Sequence, residues 1–192
     1  MMDDTSLLQG LANDLEAAFE PLVRTYQDRL YGFALRLVGS RQDAEEATQD
    51  TFVRAYRALE RYPAERRREL RLRPWLYQIA LNVIRNRVRR SVLATVPVDG
   101  PLANGLAAQA AQQPESVAMR AERWNDLTDA LGELPNRYKT AVVLRHVQGL
   151  SYAEAAEVLD QPIGTTKSDV HRGLRLLRER LDADLLVEAR NS

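Results

Sequence analysis

The sequence predicts an all-α protein, built as two small helical domains joined by a flexible linker. Apolar residues recur at helical spacing through almost every patterned segment. Between the two patterned stretches, residues 93–116 hold Pro97, Gly100, Pro101, Gly105, Pro114 and an Ala-Gln repetition, the composition of a linker. The chain's 192 residues, 45% hydrophobic and 28% charged, suffice for one large domain or two small ones.

The first helix of the N-terminal domain, which we draw over residues 14–92, carries Phe19, Leu22, Val23, Tyr26, Leu30, Phe33, Ala34 and Leu37 on one face. Gly39 ends it, and Ser40 with Asp43 reads as the cap of the next. That second helix buries Ala44, Ala47, Thr48, Thr51, Phe52, Ala55 and Leu59, and Tyr62-Pro63 stops it. An Arg-rich loop from Arg61 to Arg73 follows. Pro74 suits the first turn of a third helix, packed through Leu76, Ile79, Ala80 and Val83 and running to about Arg90.

The C-terminal domain is drawn over residues 117–186. Leu127, Ala130, Leu131 and Leu134 share a face, and Pro135 opens a helix with Val142, Val143 and Val147 that Gly149 closes. Ser151 and Glu154 form a capping box for a short helix. After Gln161-Pro162-Ile163-Gly164, Thr165 caps a final helix that buries Val170, Leu174 and Leu177.

This last pair, a short helix, a turn of about four residues containing Gly and a longer basic helix, has helix-turn-helix spacing. Thr166, Lys167, Asp169, His171, Arg172 and Arg175 then face outward, where polar and basic side chains reach base edges and phosphates. The plainer reading is a helical hairpin with a solvated face.

Charge is unevenly spread although the net is zero. Residues 1–52 hold 4 Arg and 10 acids, net −6; residues 53–92 hold 12 Arg and 3 acids, net +9. Such a basic block fits a polyanion partner, or else Arg-rich solvated faces. On the helix from Pro74, Gln78, Asn82, Arg85, Asn86 and Arg89 share an exposed face beside Tyr62, Trp75 and Tyr77, aromatics on which an unstacked base can rest. On the preceding helix, Asp43, Glu46 and Asp50 form an acidic stripe next to Gln49, which is either solvated or docks a basic protein surface.

Several classes are excluded. No Cys is present, so there is no disulfide, thiolate metal site or cysteine nucleophile. His146 and His171 lie on different helices and read as surface residues, and no Gly-rich phosphate loop is found. We therefore expect no enzyme, metal or cofactor. No segment has the length of a membrane span and the N-terminus is unlike a signal peptide, so a soluble cytoplasmic protein is expected.

The ordered set of motifs resembles the extracytoplasmic-function sigma factors of the sigma-70 family. Residues 43–57 (DAEEATQDTFVRAYR) resemble their polymerase-binding segment, and residues 73–90 (RPWLYQIALNVIRNRVRR) the segment that melts and reads the −10 element. Leu134–Lys139, Gly149–Ala156 and Ile163–Ser168 resemble the region that reads the −35 element.

The resemblance implies a role for each face. Asp43, Glu46, Gln49, Asp50 and Arg54 would dock on the coiled coil of the largest subunit of core RNA polymerase. Tyr62, Arg66, Arg67, Arg68, Trp75, Gln78, Asn82, Arg85, Asn86 and Arg89 would contact −10 promoter DNA. Ser151, Thr165, Thr166, Lys167, Ser168, His171, Arg172 and Arg175 would contact the −35 element. The helices around Leu134–Val147 would grip the flap of the second-largest subunit, the linker would thread the RNA exit path, and an anti-sigma factor would be a further partner. The remaining alternative is a helix-turn-helix regulator with an N-terminal sensor or dimerisation domain, which leaves the acidic and basic faces of the first unit unexplained.

The chain departs from the family pattern in its long, Arg-rich loop, in Asn86, and in Asp169 and Gly173 of the reading helix. An acid there can accept a hydrogen bond from cytosine N4, and Gly in a helix costs about 1 kcal/mol relative to Ala.

Overall fold

A computed structural model describes residues 3–94 and 130–191, with side chains described for 3–90 and 130–181. The linker at 93–116 and Leu127 fall almost wholly outside the described residues. Every regular element among the described residues is helical, and the chain divides into two compact units.

Among its described residues the N-terminal unit holds five helices: α1 (Asp4–Asn13), α2 (Leu15–Val38), α3 (Arg41–Arg61), α4 (Ala64–Arg68) and α5 (Leu72–Ala94). Helix α1 precedes the boundary at residue 14 that the sequence drew, and it belongs to the core. Leu7, Leu11 and Ala12 are buried, and Tyr26 Oη donates to Asp4 Oδ1 at 2.6 Å. Asp3 caps α1 and Asp14 caps α2, each side chain accepting a backbone N–H. The chain thus turns sharply between two helices with no spare residues.

Gly39, at φ +76°, ends α2 in the left-handed conformation that glycine takes without a Cβ penalty. Ser40 caps α3 by accepting from Asp43 N–H. All seven residues expected on the inner stripe of α3 are buried. Thr48 and Thr51 keep their buried hydroxyls satisfied by donating to the carbonyls of Ala44 and Ala47. Leu22, Tyr26, Leu30, Phe33 and Ala34 of α2 meet them, while Phe19, Val23 and Leu37 remain half-buried. From α5, Leu76, Tyr77, Ala80, Leu81, Val83 and Ile84 close the core, with Tyr77 edge-on to Phe33 at 5.2 Å.

Two expectations change here. The segment from Arg61 to Arg73 is not all loop, because α4 forms within it. Arg67 holds it in place, donating from Nε to Leu59 O at 2.9 Å and from Nη1 to Leu11 O at 3.0 Å. Helix α5 begins at Leu72 instead of Pro74, with Pro74 inside its first turn.

In the C-terminal unit a helical turn at 130–133 leads to Pro135 and α6 (Asn136–Val142), which continues as a π-helical turn through Val143–Val147. Gly149, at φ +66°, redirects the chain. Helix α7 (Tyr152–Leu159) starts at a full capping box: Ser151 N–H donates to Glu154 Oε2, and Glu154 N–H to Ser151 Oγ. Helix α8 spans Ile163–Asn191.

The start of α8 corrects four readings. The turn before it is Asp160–Pro162, without Gly, and Asp160 itself takes a positive φ of 52°. Thr165 is therefore no cap but lies within the first turn. Thr166 and Asp169 point inward, 0% and 2% exposed, and Leu174 points outward. The buried stripe is Thr166, Asp169, Val170, Gly173 and Leu177, rotated from the purely apolar stripe because Thr166 and Asp169 find polar partners. Gly173 is there for space: a Cβ on it would lie 2.5 Å from Val142 Cγ2 and 3.3 Å from Tyr138 Cβ.

Candidate nucleic-acid interface

On α3, four of the five residues expected to bind polymerase, Asp43, Gln49, Asp50 and Arg54, are exposed, and Glu46 is half-exposed. The three acids are not free carboxylates. Arg87 of α5 reaches across and pairs with all of them: Nη2 with Glu46 Oε2 and, at 3.8 Å, with Asp43 Oδ1, and Nη1 with Asp50 Oδ2 at 3.2 Å. The hydrogen bond from Arg87, with a second from Gln42 Nε2 to Glu46 Oε1, holds the Glu46 carboxyl below its ordinary range. Burial works against the charge on Arg87, but the Glu46 bond and the charges of Glu46 and Asp50 outweigh it and raise its pKa.

Sequence reading missed Arg87 because it was counted with the basic block. Its register held the signal: it follows buried Val83 and Ile84 at i+4 and i+3, at the edge of the face that packs on α3.

The basic face has two parts. Along α5, Asn82, Arg85 and Arg89 are exposed, and Gln78 and Asn86 are half-exposed, with Arg89 Nη2 donating to Asn86 Oδ1 at 3.3 Å. At the α3–α4 junction, the Arg66 guanidinium lies 3.9 Å from the Tyr62 ring centroid, and Tyr62 lies 6.2 Å from Trp75 at a tilt of 53°. Both rings are half-exposed. Arg68 Nη2 donates to Asn13 Oδ1 at 3.4 Å.

Two expected contributors are turned away from any ligand. Tyr77 is fully buried, its hydroxyl pushed up to about 12 mainly by desolvation. Arg67 is spent on the carbonyls of Leu59 and Leu11. An arginine inside a basic run looked like surface charge, yet carbonyls at the ends of α3 and α1 accept from a guanidinium, Leu59 O in addition to the Tyr62 N–H.

On α8 the outward residues are Lys167, Ser168, His171, Arg172 and Arg175, with Thr165 half-exposed. Ser168 Oγ donates to Gly164 O at 3.0 Å, and Arg175 lies 3.7 Å from Glu179. Ser151 is exposed, although its hydroxyl is engaged in the α7 cap. Thr166 is buried, accepting from Gln161 Nε2 and donating to Pro162 O, which removes it from the reading face.

Arg145 is an addition. Its guanidinium lies 4.9 Å from the Tyr152 ring, with Nη1 donating to Leu150 O, and the Lys167 ammonium lies 5.7 Å from the same ring. Burial, then the charges of Arg145 and His171, lower the His146 pKa, so this imidazole stays neutral more readily than usual beside that cationic edge.

The described residues thus carry an acidic face on α3, a basic, amide-rich face on α5 and a cationic face on α8. Residues 22–92 match the Sigma-70 region 2 family and residues 124–177 the Sigma-70 region 4 family. The ECF RNA polymerase sigma factor SigW of Bacillus subtilis is 31% identical over 181 residues, covering 85% of this chain and 89% of SigW. Two solved structures share the fold. The sigma factor RpoE in complex with the anti-sigma factor NepR, from Bartonella quintana, matches at 26% identity and TM-score 0.72, over 86% of this chain and 98% of RpoE. CnrH in complex with the cytosolic domain of CnrY matches at 25% identity and TM-score 0.68, over 94% of this chain and 98% of CnrH.

The chain belongs to the sigma-70 family, among its extracytoplasmic-function members. It is an alternative sigma factor, a protein that binds core RNA polymerase and directs initiation at particular promoters. The regulator alternative falls, because it accounted only for the second unit.

Proposed function

We propose that the three faces divide the work of initiation. The outer side of α3, through Asp43, Glu46, Gln49, Asp50 and Arg54, takes the basic coiled coil of the largest polymerase subunit. Gln78, Asn82, Arg85, Asn86 and Arg89 of α5 receive −10 DNA, where amides and guanidiniums serve base edges and phosphates together. Tyr62, Arg66 and Trp75 form the platform for a base that has left the stack, with Arg68 as a further source of positive charge. Lys167, Ser168, His171, Arg172 and Arg175 enter the −35 major groove, with Thr165 and Ser151 at its margin. The helices around Leu134–Val147 grip the flap of the second-largest subunit.

The observation that carries this reading is the segregation of charge within one small unit. Three carboxylates gather on α3, while Arg85 and Arg89 project from α5 in a different direction from Arg87. A partner chain controlling this sigma factor is supported by the Bartonella quintana relative, solved with an anti-sigma factor. Its site of action is the cytoplasm, where polymerase works; among the described residues no helix is long and apolar enough to cross a membrane.

The decisive experiment is run-off transcription from a promoter library with core polymerase, with and without the protein. Sequence-selective transcripts that depend on the protein support the reading. Duplex DNA binding by the protein alone, with no effect on core polymerase, overturns it.

A further inference from the structure

We propose that Arg87 is a positioning residue for polymerase docking: it gathers Asp43, Glu46 and Asp50 into one pre-ordered acceptor array. The inference rests on the reading of α3 as the polymerase-binding face.

The argument begins with repulsion. Asp43, Glu46 and Asp50 stand at i, i+3 and i+7 on one helix, so neighbouring carboxylates repel and their side chains tend to splay. Arg87 cancels that tendency. Its planar fork engages one oxygen of each acid, Oδ1 of Asp43, Oε2 of Glu46 and Oδ2 of Asp50.

Exposure tells on which side it does so. The Arg87 side chain is 27% exposed, whereas those of Asp43, Glu46 and Asp50 are 56%, 46% and 51% exposed. The guanidinium therefore lies beneath the acids, toward α5, and leaves their outer edges open. A carboxylate has about four lone-pair sites, so a second cation can approach from outside without displacing the first.

A basic partner then meets carboxylates whose conformational freedom was surrendered during folding, which lowers the ordering cost of association. The cluster keeps a net charge of −2, enough to attract such a partner. Arg87 has no place on the DNA-reading face, since it points to α3 while Arg85 and Arg89 point to solvent.

The test measures association and dissociation rates of the full chain with core polymerase. Arg87→Ala should raise the dissociation rate by about tenfold while association stays the same or quickens, because the freed cluster is more acidic. Arg87→Lys, which keeps the charge and loses the fork, should fall between. Asp50→Asn should also speed dissociation, and combined with Arg87→Ala it should give less than the product of the two effects.

Helical circular dichroism and melting temperature accompany each variant. If Arg87→Ala does not fold, Arg87→Lys carries the test: faster dissociation at unchanged melting temperature supports the proposal. A dissociation rate within about twofold of wild type for the folded variants, or fully multiplicative effects, overturns it. If Asp50→Asn itself leaves the kinetics unchanged, the docking face has been misread and both ideas fall. If Asp50→Asn speeds dissociation and Arg87→Ala does not, only the role of Arg87 is lost.

Discussion

Arg137 Nε lies 2.8 Å from Oδ2 of Asp169, an ion pair in which the carboxylate is 2% exposed and the guanidinium 60%. Gln161 Nε2 donates to the same oxygen at 3.2 Å and to Thr166 Oγ1 at 3.1 Å. The first two turns of α8 are thereby tied to α6 and to the turn before them. Asp169 raises the Arg137 pKa through this bond. An acid that looked misplaced opposite phosphate is part of the packing that aims the helix.

Asp169→Ala should therefore cost stability and spare sequence preference. Hydrogen bonds to charged groups contribute about 1.5–3 kcal/mol, so a loss near 2 kcal/mol is expected in thermal unfolding. Selection from a −35 library should return the wild-type sequence. A changed base preference at one position, with normal stability, sinks the packing role and restores a reading role.

Gly173→Ala should destabilise, although Ala favours helix over Gly by about 1 kcal/mol. The added Cβ meets Val142 Cγ2 at 2.5 Å, too close unless the buried Val142 side chain or α6 shifts. Overpacking of this kind costs typically about 1–3 kcal/mol. Adding Val142→Ala should recover part of the loss. A Gly173→Ala variant that melts higher than wild type contradicts the close-approach account.

Much of this was legible in the sequence, and the misses share a cause. The inner stripe of α3, the caps at Ser40 and Ser151 and the stop at Gly39 follow from local spacing and local hydrogen bonds. The errors arise where polar residues find tertiary partners: Asp169 and Thr166 are buried, Arg67 caps distant carbonyls and Arg87 crosses to α3. Periodicity assigns polar residues outward by default, and only a partner far along the chain reverses that. Leu174 shows the converse, an apolar residue displaced to the surface, 37% exposed, by the inward turn of its polar neighbours. The N-terminal helix was missed because its apolar content is little more than Leu7, Leu8, Leu11 and Ala12 in a short acidic segment.

Lys167 and Arg172 should read bases while Arg175 holds phosphate. Lys167 and Ser168 project from the second turn of α8, and Arg175 lies two turns further on. Arg175→Ala should weaken binding of holoenzyme to every −35 sequence alike and lower the salt slope by about one. Lys167→Ala and Arg172→Ala should relax preference at single positions by about 1–3 kcal/mol. Library selection checks this; the same preference for all three variants as for wild type means the assignment is wrong.

Melting should depend on Arg66 and Arg68, with Arg67 left in place. Opening a duplex exposes bases whose lost stacking must be offset by contacts to the single strand. Tyr62 and Trp75 offer half-exposed rings for such a base, and Arg66 now covers the Tyr62 face at 3.9 Å. A base that takes this place keeps the stacking partner and gains the displaced guanidinium for its phosphate. Arg67 is a different matter, since its bonds to Leu59 O and Leu11 O hold α4, and Arg67→Ala should lower the melting temperature. The informative variant is thus Arg66→Ala with Arg68→Ala, compared with wild type in run-off transcription from a duplex promoter and from one pre-melted by a mismatched bubble at −10. We expect a clear loss on the duplex and recovery of most activity on the bubble, with unaltered binding to core polymerase. Equal impairment on both templates means these arginines serve general attraction, and the role in melting must be given up.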